Sequence, residues 1–315
     1  MQFKSAHGWR VALATIAVLA LGVPSASAAV TIGSSLQIDP SDSGSSEATY
    51  IQASLPGGGI VSSPNDGVIT LWRMRGYTQG AVPAEILFRV MRPAGSDAFT
   101  AISSTSALLP TSLDTHEFPA RLPIQKGDYI GLTQTPGNTV FLDCDACPGA
   151  GSVRLFGGPF ADGQTRTQAP SDNQLVMINA DVEPDADHDG FGDESQDKCP
   201  VDAQTQGLCQ FSFGKLKKNK NKGTAILPVQ VPGAGTLSLS GNGVAAQRPT
   251  GDFAVPTGRT VTKAGTVKLL IKAKGKLKKK LNRTGKAKLK LKVTFTPTGG
   301  PPSPEAKRVT LRKSG

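Results

Sequence analysis

Residues 286–296 read KAKLKLKVTFT, the longest clean alternation in the chain. Ala287, Leu289, Leu291, Val293 and Phe295 fall on one side of an extended chain; Lys286, Lys288, Lys290 and Lys292 fall on the other. Alternation of that length belongs to a strand with one buried face and one solvated face. Working outward, residues 266–274 (TVKLLIKAK) place Val267, Leu269, Ile271 and Ala273 on one face. Residues 225–231 (AILPVQV), 236–240 (TLSLS) and 308–312 (RVTLR) read as further strands. Leu277 and Leu281, four apart and followed by Gly285, predict one helical turn between sheets. Residues 211–315 are therefore expected to form an immunoglobulin-like β-sandwich. This region has no Cys, so packing alone must hold it.

The rest of the chain is also β in character. Residues 67–74, 86–91, 128–133, 139–142, 153–156 and 174–178 are apolar or alternating runs bounded by Gly, Pro, Ser or Asp. Residues 29–180 are expected to form a jelly-roll-like sandwich, long enough to bury its own core. The 315 residues include 36 Gly and 23 Pro, with 5 % aromatics, which suits short strands and many turns. That composition excludes a coiled coil, a collagen and a multi-span membrane protein. The overall fold class is all-β.

Charge divides the chain. Residues 211–315 carry a net +22 and residues 1–210 a net −11, which argues for separate modules with separate partners. Residues 1–28 read as a signal peptide. Lys4 and Arg10 precede a 13-residue apolar stretch, and Ala26-Ser27-Ala28 offers the small residues a signal peptidase needs. As a helix that stretch rises only about 20 Å, short of a hydrocarbon core of roughly 30 Å. The mature chain is expected to start at Ala29, outside the cell, with no transmembrane segment.

Residues 181–210 differ from both sandwiches. The run Asp185-Ala-Asp-His-Asp-Gly-Phe-Gly-Asp places Asp185, Asp187, Asp189 and Asp193 at positions 1, 3, 5 and 9, with Gly190 at position 6. Four carboxylates so close would repel each other with nothing between them. A hard dication wants six to eight oxygens, and the Phe191 carbonyl at position 7 adds one. The spacing D-x-D-x-D-G matches the start of an EF-hand loop and points to Ca2+. Pro184 and Cys199-Pro200 bracket the loop, so flanking helices are not expected.

The run D-x-D-x-D-G-x-G-D followed by D-x-C-P over residues 185–200 resembles a thrombospondin type 3 repeat. The resemblance implies calcium coordination outside the cell and an adhesion or spacer role. It makes Asp185, Asp187, Asp189 and Asp193 side-chain ligands. The closing acid usually sits at position 12, where this chain has Gln196. Either Asp197 reaches in through a one-residue bulge or Glu194 substitutes.

Export favours disulfides, and the local pairing Cys144–Cys147 with Cys199–Cys209 would clamp the end of the loop. Redox work by Cys144-Asp-Ala-Cys147 lacks the βαβ setting that would lower a thiol pKa, and a Cys₄ zinc site lacks the right spacing. Lys288, Lys290 and Lys292, and separately Lys268, Lys272 and Lys274, form basic strand faces, and Lys217, Lys218, Lys220 and Lys222 form a further basic cluster. They protect sheet edges or attach to a polyanion such as an acidic cell-wall polymer or extracellular polysaccharide. Intracellular nucleic acid is disfavoured by export and by the lack of interleaved aromatics. Catalysis finds little material. No G-x-S-x-G or H-E-x-x-H occurs, His116 and His188 stand alone, and a carboxylate pair would require Glu85 and Asp128 to meet in space. The expectation is a secreted, calcium-binding, non-enzymatic surface or adhesion protein. The alternative is carbohydrate binding by the first sandwich through Tyr50, Tyr77 or Tyr129, with Trp72 assigned to the core.

Overall fold

The computed structural model describes residues 28–44, 46–135, 139–143, 151–170, 174–245 and 258–314. The leader through Ser27, and Cys144 with Cys147, lie outside them. The protein is all-β, with a single α-helix among the described residues. No helix among these residues is long and apolar enough to cross a membrane.

The first sandwich contains β1 (Val30–Gly33), β2 (Asp42–Gly44), β3 (Ala48–Gln52), β4 (Gly67–Thr78), β5 (Ala84–Pro93), β6 (Ala98–Leu109) and β7 (Asp114–Ile124). It continues with β8 (Tyr129–Gln134), β9 (Thr139–Asp143), β10 (Val153–Gly157), β11 (Thr165–Thr167), β12 (Leu175–Val176) and β13 (Ile178–Glu183). One sheet runs β1-β13-β4-β9-β12, with β2 on β9 and β7 on β4; the other runs β10-β3-β8-β5-β6-β11. Pairing is antiparallel throughout. Trp72 of β4 stacks on Phe88 of β5, centroids 4.9 Å apart, and joins the two sheets through the core. Six strands of this sandwich lie outside the runs read from sequence: β1, β2, β3, β6, β7 and β11. Strand β7 carries Pro119 and Pro123 and pairs only with β4, an edge position where a missing N–H is tolerated. The last strand extends to Glu183, past the expected boundary at 180.

The second sandwich contains β14 (Ser212–Phe213), β15 (Lys217–Asn219), β16 (Thr224–Val231), β17 (Gly235–Ser240), β18 (Gly258–Val261), β19 (Gly265–Ile271), α1 (Gly275–Thr284), β20 (Lys286–Pro297) and β21 (Ser303–Arg312). One sheet has β14, β15 and β19 around β16; the other runs β18-β17-β20-β21. The five apolar residues of β20 are all buried, Leu291, Val293 and Phe295 completely. They meet Leu227, Val229, Leu269 and Ile271 from the facing sheet. Each such side chain contributes roughly 1.5–3 kcal/mol on burial. The expected single helical turn is a ten-residue helix. Leu281 is buried, Leu277 packs beside it, and Gly285 (φ 66°) ends the helix by donating its N–H to Leu281 O.

The two basic strand faces do not join. Lys288, Lys290 and Lys292 lie on the outer face of the β20 sheet, and Lys268 on the outer face of the β19 sheet, across the core. Lys272 and Lys274 follow β19 and lead into α1. Period-2 alternation tells which side of its own strand a lysine takes, not which sheet that strand enters.

Candidate functional site

The acidic loop sits between the two cores and touches both. Glu183, at the end of β13, is buried and caps the loop: its Oε2 accepts the N–H groups of Glu194 (3.0 Å) and Ser195 (2.9 Å), and its Oε1 accepts Thr70 Oγ1 (3.0 Å). Gln196 Nε2 donates to Ala120 O (2.8 Å), and Arg121 lies over the Phe191 ring at 4.2 Å. Gly192 is required here because a Cβ would lie 2.4 Å from Glu183 Oε2 and 2.6 Å from Thr70 Cγ2. On the other side, Cys199 and Cys209 form a disulfide that belongs to the second core. Val201 packs on the turn at Gly233, and Pro200 on the turn at Gly300. Nothing in the sequence pattern pointed to Glu183 or Thr70. Their role exists only because β4 and β13 pair.

Inside the loop, backbone amides fold the carboxylates inward. Asp185 accepts from Asp189 N (3.0 Å) and Gly190 N (2.9 Å), and Asp189 Oδ1 accepts from Phe191 N (2.8 Å). Gly190 at φ 82° makes the turn that brings these amides round. One oxygen each from Asp185, Asp187 and Asp189 lie within 4.8 Å of one another. Asp193 closes over this group, taking the Ala186 N–H at 3.2 Å. Asp197 is 2 % exposed; its Oδ1 accepts Cys199 N (2.7 Å). Its Oδ2 is buried and has no hydrogen-bond partner, and neither does either oxygen of Asp187.

The electrostatics follow from that crowding. Burial, then the charges of Asp189 and Asp197, pushes the Asp187 carboxyl up to about 6. The Asp202 amide, which donates to Cys199 O, opposes this shift without bonding Asp187. Burial pushes Asp193 up to about 7, aided by Asp185, Asp187 and Asp197 and opposed by the Ala186 amide. Asp197 is also raised, first by burial and then by Asp189, Asp185 and Asp202, against the Cys199 amide. Buried oxygens without donors, turned toward like charges, are a destabilising arrangement that a hard cation would reverse. The donor set is all oxygen, which suits Ca2+ or Mg2+ rather than a softer metal.

Of the two candidates for the closing position, Asp197 is buried among the other carboxylates. Glu194 is exposed and accepts Ala29 N at 2.7 Å. Sequence reasoning missed two neighbours. Asp202 lies within the disulfide loop and raises Asp197, and Gln206 holds Asp189 Oδ2 at 2.8 Å.

The other candidates separate. Asp128 is buried, bonded to Arg92 at 2.8 Å through both oxygens. Glu85 lies at the far end of β5, opposite Leu108, while Asp128 adjoins Tyr129 opposite Met91. Six residues of strand put them about 20 Å apart. His116 Nε2 meets Ser112 O at 3.0 Å. Trp72 and Tyr50 are buried, and Tyr129 packs on Phe99. No aromatic is among the exposed large apolar residues described.

No family model matches the chain, and no curated protein or solved structure matches it.

Proposed function

We propose that this chain is a secreted, non-enzymatic surface or adhesion-type protein in which Ca2+ stiffens the junction between two β-sandwiches. Asp185, Asp187, Asp189, Asp193 and Asp197 would hold the ion with the Phe191 carbonyl, and the basic sandwich would attach to an anionic polymer. One observation carries the reading: both oxygens of Asp187 and Oδ2 of Asp197 are buried without partners inside a group of like charges. The thrombospondin type 3 repeat resemblance supports the same reading. The leader-like segment and the Cys199–Cys209 disulfide support the compartment.

Titration calorimetry on the chain lacking residues 1–28 tests this. Saturable calcium binding with Kd on the order of 10⁻⁴ to 10⁻³ M is expected. Asp187→Asn and Asp197→Asn should weaken it at least tenfold, and Glu194→Gln less than twofold. Absence of binding at about 10 mM calcium, or equal loss in all three variants, would overturn the assignment.

A further inference from the structure

The second sandwich has two ends, and they differ. At one end the turns around Gly233 and Gly300 pack on Val201 and Pro200, next to the acidic loop. At the other end three segments converge. The turn after β15 is one: a Cβ on Gly223 would lie 3.0 Å from Leu281 Cδ2 and 3.3 Å from Lys313 Cβ. The helix end is the second: Lys313 N donates to Gly285 O (2.8 Å), and Lys313 Nζ donates to Asn282 Oδ1 (3.0 Å). The third is the tail of β21, where Ser314 N donates to Lys220 O (3.1 Å).

This tip gathers Lys220, Lys222, Arg283, Lys286, Arg312 and Lys313. All but Lys313 are exposed. Lys286 and Arg312 are directly opposite in the antiparallel pair, an arrangement that destabilises a sheet without a counter-charge; Lys290 and Arg308 are opposed likewise along the face, but three positions from Glu305's partner Val293 rather than seven. Ion pairs among the described residues all lie in the first sandwich. Residues 211–315 contain two acids. Asp252 is outside the described residues; Glu305 is opposite Val293, seven positions along β20 from Lys286, about 23 Å away and well beyond a Debye length of about 8 Å. The full length of β20, about 35 Å, separates the tip from the junction. The acidic first sandwich, which touches the junction end, therefore does not neutralise it.

The geometry points to this tip as an anion-binding site for a linear anionic polysaccharide, formed by the β15–β16 turn, the end of α1 and the paired ends of β20 and β21. It rests on the polyanion reading above and narrows it to one place. The occupant follows from the side chains. Four of the six cations are Lys, which act as hydrated point charges without bidentate geometry. Residues 211–315 contain no Trp or Tyr, and of their described Phe residues Phe211 and Phe295 are buried and Phe213 packs between Phe211 and Lys307, so no described aromatic at the tip offers bases a stacking platform.

The test uses the chain lacking residues 1–28, immobilised chondroitin sulfate as probe and neutral dextran as control, at 50 and 150 mM NaCl. Lys220→Ala with Lys222→Ala and Arg312→Ala is expected to weaken binding at least 20-fold. Removing the same number of charges from the strand face, Lys288→Ala with Lys290→Ala and Lys292→Ala, should weaken it less than threefold. Arg283→Ala with Lys286→Ala is a second tip variant, expected to lose at least fivefold, should the first be unfolded. Equal losses from tip and face would overturn the site and leave the polyanion reading standing. No binding by the unaltered chain would overturn both. Tighter binding of a single-stranded oligonucleotide or anionic lipid vesicles, or self-association at low salt, would overturn the occupant. Chelator and Asp187→Asn should leave binding unchanged, which separates this test from the calcium assignment.

Discussion

In the metal-free protein, stability should fall as pH rises from 5 to 7.5, and calcium should abolish that fall. Asp193 titrates near 7 and Asp187 near 6 in the fold, against an ordinary value of 3.8 in the unfolded chain. Between those limits the folded protein keeps protons that the unfolded chain has released, so raising the pH favours unfolding. The stabilisation is complete below about pH 4 and gone above about pH 7. Unscreened, the Asp193 displacement corresponds to about 4 kcal/mol and the Asp187 displacement to about 3 kcal/mol. Each includes part of the other's charge, and both groups keep some solvent contact, so about 3 kcal/mol in total is expected. A little over half of the combined displacement lies above pH 5, so the range from pH 5 to 7.5 spans about 1.7 kcal/mol, or about 3–6 °C in Tm for a protein of this size. Under the proposed assignment calcium would replace the protons as the partner of these oxygens. At 100 times its Kd it adds about 2.7 kcal/mol at neutral pH. The assay is calorimetric Tm at pH 5, 6, 7 and 7.5, on chelator-stripped protein and in 10 mM calcium. A metal-free Tm that is flat across this range, or that falls equally with calcium present, would refute the reasoning.

Three further outcomes are expected. Cys199→Ser with Cys209→Ser releases a closed loop of separation 10, costing about 2.5–3 kcal/mol in urea denaturation and weakening calcium binding. Gly192→Ala forces a Cβ against Glu183 and Thr70 and should cost about 1–3 kcal/mol while lowering calcium affinity, measured by the same titrations. Cleavage after Ala28 would place an ammonium where Ala29 N now meets Glu194 Oε1; Glu194→Gln should then destabilise the processed chain by about 0.2–1 kcal/mol and leave the uncleaved chain unchanged in thermal melts.

Much of this protein is legible locally. The alternation in residues 286–296 specifies a strand and its buried face, because side chains on an extended chain alternate whatever it pairs with. The Asp spacing and Gly190 specify a tight loop of inward oxygens, because the Asp185 and Asp189 bonds close within six residues. Strand β7 is not legible locally: Pro119 and Pro123 cannot donate to a ladder on both sides, and only the pairing with β4 shows the edge position that tolerates them.

Choices between distant segments are settled by packing alone. Asp197 rather than Glu194 turns into the acidic group because Glu183, eleven residues before Glu194, takes the Glu194 amide and Ala29 takes its carboxylate. Of the six lysines of two alternating runs, Lys288, Lys290 and Lys292 line one sheet, Lys268 the other, and Lys272 and Lys274 lead into α1, while Lys220, Arg283 and Arg312, scattered over more than ninety residues, meet at one tip. Side-chain alternation is a property of one strand. Which cations share a surface depends on which strands pair and which ends meet, and that is settled by burying the common core.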